Sequence, residues 1–309
     1  ALDRVVRAMY DRVYPLKELE KITGIKAYTL ARLVPGATMA GESVLEKEVR
    51  PIFANLGKED VDNVQLLMTL ERGLDLRTKR PDAKLPGGVE DPQRAIQELQ
   101  QELGADWQVI REAADKLYDV NRRLILQTLV DAGLMSVDTR DTLLQDWPHY
   151  IPFFRQGYDF EDLPFTGAKS EANVSERIFR EINEAGSELA LNEPLAQLQA
   201  QVVRAQMLAA RNKAAKALVD ALEEYGKITG EEMVKRNAKG RGPYKGTVNY
   251  YENGEKKTCQ VPLVYERVAK GMDHESANAL MGILRKMAYP LRMGAVAGNP
   301  SFLVPNVIR

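Results

Sequence analysis

A mainly α-helical fold is what this sequence predicts: a multi-helix bundle carrying an extended aromatic and proline strap and one small β-hairpin at about residues 247–262. Three observations predict it. Apolar residues recur at three- and four-residue spacing through most of the 309 positions, the pattern of helices that bury one face. Two prolines and four aromatics crowd the run from Trp147 to Arg155, where prolines rule out regular helix. Two strand-like stretches flank Asn253-Gly254, a favoured hairpin turn.

Taken in order, Leu2, Val5, Val6, Met9, Val13 and Leu16 mark a first helix, which Pro15 is expected to bend. Tyr28, Leu30, Ala31 and Leu33 form a short second helix that Pro35-Gly36 ends. A third is expected from about Met39 to Leu56. Asp60 is placed to cap a fourth, whose Val61, Val64, Leu67, Met68, Leu70 and Leu74 give a broad apolar face. Arg77 to Pro92 breaks the pattern with Pro81, Pro86, Gly87, Gly88 and Pro92, and reads as a loop or a mobile insert.

Periodicity resumes near Gln93–Leu103. A longer helix follows with Trp107, Ile110, Ala114, Leu117, Val120, Leu124 and Leu129 on one face and Gly133 at the C-cap. The strap begins at Trp147, and its Trp147, Tyr150, Phe153, Phe154 and Arg155 are the candidate packing residues. Ser170 to Glu193 is polar. Leu195 to Tyr225 is the strongest helix, with Pro194 at its first turn, Asn192 as cap and an alanine-rich stripe. Thr247–Glu252 and Lys256–Val261 form the hairpin. A last long helix is expected from about Glu275 to Leu291. These features divide the chain into an N-terminal helical region (1–146), a strap and polar linker (147–192), and a region with the long helix, hairpin and C-terminal helices (193–309). Both ends stop inside patterned sequence, which reads as a fragment of a much longer chain.

Composition narrows the function. Lys and Arg number 43 against 44 Asp and Glu, so any nucleic-acid contact is a local patch and not a general basic surface. With one cysteine, Cys259, no intrachain disulfide can form, and a Cys-rich zinc site is excluded. No stretch approaches the roughly 20 apolar residues that span a bilayer, so no transmembrane segment is expected.

Candidate chemistry is sparse. His149 reads as a packed histidine bonded to backbone, His274 as part of a helix start, and Cys259 as a small apolar residue. Glu18/Lys21 and Glu46/Arg50 have the spacing of solvated ion pairs. None of the sequences G-x-S-x-G, H-E-x-x-H or G-x-G-x-x-G occurs. No catalytic, metal-ligating or cofactor-binding residue is therefore assigned, and neither a cofactor nor a small-molecule substrate is expected. One basic, glycine-rich run, residues 235–245, offers Lys235, Arg236, Lys239, Arg241 and Lys245 to nucleic-acid phosphates. A solvated connector is the favoured reading of that run, and Glu223 and Glu224 weaken it as a patch.

Several stretches, in order, resemble a helical domain of bacteriophage large polyvalent proteins. They are Asp11-Arg12-Val13-Tyr14-Pro15-Leu16 with Ala27–Leu33, the strap Tyr150–Arg155, Asn192-Glu193-Pro194-Leu195 leading into Ala209–Val219, and the hairpin with Gly298–Phe302 and Asn306–Arg309. The resemblance spans nearly the whole chain and carries no catalytic residues. It implies a non-enzymatic module of an internal virion protein. Such a protein is made in the host cytoplasm, packaged in the virion and ejected with the DNA into the next host cell. Its partners would be copies of itself, other virion proteins or the genome. The alternatives are a nucleic-acid-binding module built on residues 235–245, and a support domain of a virion-packaged enzyme such as an RNA polymerase or cell-wall hydrolase.

Overall fold

A computed structural model of the chain describes residues 13–83, 85, 89–150, 194–236 and 246–272. Helix α1 (Tyr14–Thr23) has Pro15 in its first turn, where the missing N–H costs no hydrogen bond. The expected first helix lies outside the described residues up to Arg12, and Pro15 stands in the opening turn of its described part. Glu20 joins α1 to α2 (Ala27–Leu33) by accepting from the Thr29 N–H at 2.8 Å and its hydroxyl at 2.6 Å.

Helix α2 ends just before Pro35-Gly36, as expected, but the chain stays helical in another form. Val34–Gly36 forms a 3-10 turn, α3 (Ala37–Val44) follows, and a π turn (Leu45–Val49) and a 3-10 turn (Arg50–Phe53) complete the run. Proline is tolerated at the start of a short turn because its N–H has no helical partner to lose there. In α4 (Lys58–Lys79) the N-cap is Gly57 and not Asp60. Asp60 sits a turn inside and accepts from the Gly57 N–H at 2.8 Å. The helix also continues through Lys79, past the expected loop boundary at Arg77.

Helix α5 (Pro92–Leu103) is capped by Asp91, which accepts from the Arg94 N–H at 3.0 Å. Helix α6 (Trp107–Val120) passes through a π-helical stretch (Asn121–Gln127) into α7 (Thr128–Asp131), and Gly133 at φ 75° lets the chain leave. Helix α8 (Val137–Asp146), capped by Ser136 on the Thr139 N–H, was not expected. It buries only Leu143, so it shows little apolar periodicity.

Helix α9 (Pro194–Thr229) has 36 residues and spans roughly 54 Å. It serves two main cores. Leu198, Val202, Ala205 and Ala209 join a core built with α4, α6, α7 and α8. Farther along, Ala214, Leu218, Ala221 and Leu222 pack with α1, α2 and the sheet. Gly41 allows α3 against α9, since a Cβ there would stand 2.8 Å from Val203 Cα.

The sheet is antiparallel in the order β1 (Lys235–Arg236), β3 (Glu255–Val261), β2 (Gly246–Glu252). The hairpin turn forms as expected, with Asn253 at φ 52° and Gly254 at φ 80°, the left-handed pair these residues adopt most readily. Its register sets Val248 opposite Cys259. Val248, Tyr250, Cys259 and Val261 are all buried in the second core. Strand β1 was not foreseen: the start of the basic run pairs with β3 instead of forming a solvated connector. Residues 263–272 are helical and add Val268 and Met272 to the same core. The expected helix Glu275–Leu291 lies outside the described residues. Among the described residues no helix is long and apolar enough to cross a membrane.

Candidate functional site

The densest set of buried charged groups lies where α4 and α6 meet the chain leaving α8. On α4, Glu71 and Asp75 are one turn apart, on the face that also buries Val64, Leu67 and Met68. Both carboxylates are buried, at 7 % and 8 % exposure. A buried carboxylate needs donors and a counter-charge, and each of these has them. Glu71 accepts from Arg111 of α6 on one oxygen, and from the Tyr118 hydroxyl at 2.9 Å on the other. Arg111 also binds Asp115 at 2.6 Å, its neighbour one turn along α6.

Asp75 holds His149. One oxygen accepts from the His149 backbone N–H at 2.9 Å, and the other lies 3.0 Å from Nδ1 of the ring. The far nitrogen, Nε2, is 3.7 Å from Glu71. The ring meets Tyr118 edge-on, with centroids 5.4 Å apart. On either side of His149, Trp147 and Tyr150 are buried, and the Arg72 guanidinium lies 4.1 Å from the Trp147 ring centroid and 5.7 Å from that of Tyr150. Asn121, in the π-helical stretch, donates to the Tyr150 carbonyl at 2.7 Å. The segment Trp147–Tyr150 is thus clasped at side chain and backbone. His149 is packed as expected, but its partner is a carboxylate and not backbone.

The electrostatics follow from the census of charges. Glu71, Asp75 and Asp115 face Arg72 and Arg111, leaving one negative charge that a protonated His149 cancels. The hydrogen bond to Asp75, helped by the charges of Glu71 and Asp75, raises the His149 pKa despite partial burial. Burial, then the adjacent Glu71, pushes the Tyr118 hydroxyl far up, so it stays a donor. Burial lowers the pKa of Arg72, offset in part by Tyr150 and Asp75. Arg111 is held charged: burial opposes this, but Glu71 and Asp115 outweigh it. Every oxygen of Glu71 and Asp75 already holds a donor, so the arrangement is suited to fastening a chain segment.

The predicted nucleic-acid residues lie elsewhere. Lys235 and Arg236 are exposed on β1. Arg236 grips Glu223 of α9 with two bonds, Nε–Oε1 at 2.6 Å and Nη2–Oε2 at 2.9 Å. That bond holds the Arg236 pKa above its ordinary value and the Glu223 pKa below. A phosphate would have to displace Glu223. Lys239, Arg241 and Lys245 lie outside the described residues, as do Phe153, Phe154, Arg155 and His274. Cys259 is buried on β3. Glu46 and Arg50 form their pair at 2.7 Å. Among the described residues no group of three or more His, Cys, Asp or Glu is placed to hold a metal ion.

The clasp left one sequence signal unused: Glu71 and Asp75 continue the apolar stripe of Val64, Leu67 and Met68, and acids on a buried stripe require partners. Which residues would supply them was not legible, because Arg111 and His149 come from distant parts of the chain. Comparison with protein-family models, with curated proteins and with solved structures finds no match.

Proposed function

We propose that the chain is a non-enzymatic helical module of a phage internal virion protein, working by assembly with copies of itself, with other virion proteins or with the packaged genome. The observation that carries this reading is the organisation around α9. One long helix serves both main cores, and α1, α2, α3, α4, α7 and β2 all pack directly on it. A helix of this kind is given over to holding other elements together, where enzymes concentrate their chemistry in one concave site. The resemblance to large polyvalent proteins supplies the virion context, and α9 carries two of its landmarks, Pro194-Leu195 and Ala209–Val219. The pairing of Arg236 with Glu223 favours protein partners over the genome.

In this reading the chain is made in the host cytoplasm, carried in the particle and delivered with the DNA. Quantitative mass spectrometry of purified particles, before and after DNA release, tests it. The expected result is a fixed copy number in intact particles and depletion from emptied ones. Peptides found only in infected-cell lysate and never in particles would overturn it.

A further inference from the structure

Before its exposed last residues, Lys227 to Thr229, the described part of the scaffold helix is bared at one place. Among the described side chains of α9 from residue 195 to 226, only Lys213 is exposed. It lies at the end of an open groove of about 470 Å³. The floor is the α9 stripe Gln206, Ala209, Ala210 and Lys213; one wall is α2–α3 with Leu33 and Ala40, and the other is α7 with Thr128 and Asp131. Gln206 reaches Thr128 across the floor at 3.4 Å. Two alanines, Ala209 and Ala210, therefore make the middle of the floor, and a large apolar residue stands at the rim: Leu33 is 60 % exposed, second only to Met39 among the exposed large apolar side chains described.

The groove is lined by two cations, Arg32 and Lys213, and one anion, Asp131, and Arg32 is engaged by the Tyr28 hydroxyl and ring. Lys213 makes no hydrogen bond or ion pair among the described residues. Asp131 is exposed and accepts only a neutral partner, the Gln127 amide, at 2.7 Å. A projecting leucine beside an alanine floor, and an unpaired cation near an unpaired anion, make the patch complementary to itself. That is the requirement of a two-fold interface, where each residue meets its counterpart's complement. An unrelated partner would need only one member of each pair.

We infer that this groove is the contact surface for a second copy of the chain. In the pair, Leu33 of each copy fills the other's alanine floor at Ala209 and Ala210, and Lys213 of each meets Asp131 of the other. The inference rests on the assembly reading and deepens it by naming the partner. The two fail separately: absence from particles overturns the virion role alone, and a monomeric chain found in particles overturns the dimer alone.

Sedimentation equilibrium of the chain over a wide concentration range, with circular dichroism as the folding control, tests the inference. The expected result is a reversible dimer that Leu33→Glu weakens by about 100-fold, the size of an interface anchor. Asp131→Lys should also weaken it, and the charge exchange Asp131→Lys with Lys213→Asp should restore most of the affinity. All three positions are exposed, so the variants should fold. A chain that stays monomeric throughout, with its groove filled by another segment or another protein, would overturn the inference. So would a dimer indifferent to Leu33→Glu, or a charge exchange that fails to restore association.

Discussion

His149 joins three charged neighbours in one contact, and its protonation state decides how well they balance. Asp75 and Glu71 face it from α4, with Arg72 beside Asp75; Arg111 and the Tyr118 hydroxyl face it from α6. Because the bond to Asp75 raises the folded-state pKa above the unfolded value of about 6.5, the histidine's contribution is complete below that value. It is lost as pH rises through the folded pKa. Above it, a neutral ring can still donate to Asp75, but the cluster keeps its extra negative charge. Urea-denaturation midpoints of the native chain should therefore fall as pH rises above about 6.5 and through the raised pKa of His149. His149→Gln should start lower and lack that step. An equal step in the variant would assign the pH dependence to another group.

At the scale of elements, the sequence was most informative where the cause of structure is local. Asn253-Gly254 specified its turn, and the α9 stripe announced its helix to within a few residues of each end. Local signals were weakest where packing decides. Helix α8 hides behind a polar surface, β1 forms only because β3 offers an edge, and Pro35 is absorbed by a 3-10 turn. The clasp was half legible: its acids stand on an apolar stripe, but nothing near them in sequence names Arg111 or His149. Gly41 shows the same limit, since periodicity says nothing of how closely two helices approach. A methyl group there meets Val203 Cα, which cannot move away as a flexible side-chain end could. Although alanine is the better helix former, Gly41→Ala should destabilise the chain by about 1–3 kcal/mol through overpacking. Thermal or urea unfolding measures it, and a variant as stable as the parent would show that α3 can shift freely.

Across the whole molecule the question is whether two cores on one helix unfold together. Asn212 sits at their junction, buried at 1 % exposure. Its amide donates to the Ala132 carbonyl at 2.7 Å and to the Tyr251 carbonyl at 2.8 Å, and its oxygen accepts from the Tyr251 N–H at 2.7 Å. One side chain thereby ties the end of α7, in the first core, to strand β2, in the second. A second tie lies close by, where the Gly254 N–H donates to the Gly133 carbonyl at 2.9 Å. Replacing Asn212 by alanine leaves the Tyr251 N–H and two carbonyls without this partner, at about 2–4 kcal/mol. The loss falls on the seam and not within either core. Native-state hydrogen exchange should therefore show the parent's α6 and β3 amides opening with similar free energies. In Asn212→Ala the β3 amides should exchange through a separate, lower-energy opening while α6 keeps more of its protection. If both sets fall by the same amount, α9 alone couples the cores and the asparagine adds only stability. A lower-energy opening confined to β3 would make Asn212 the group that keeps the sheet end folded together with the helical end.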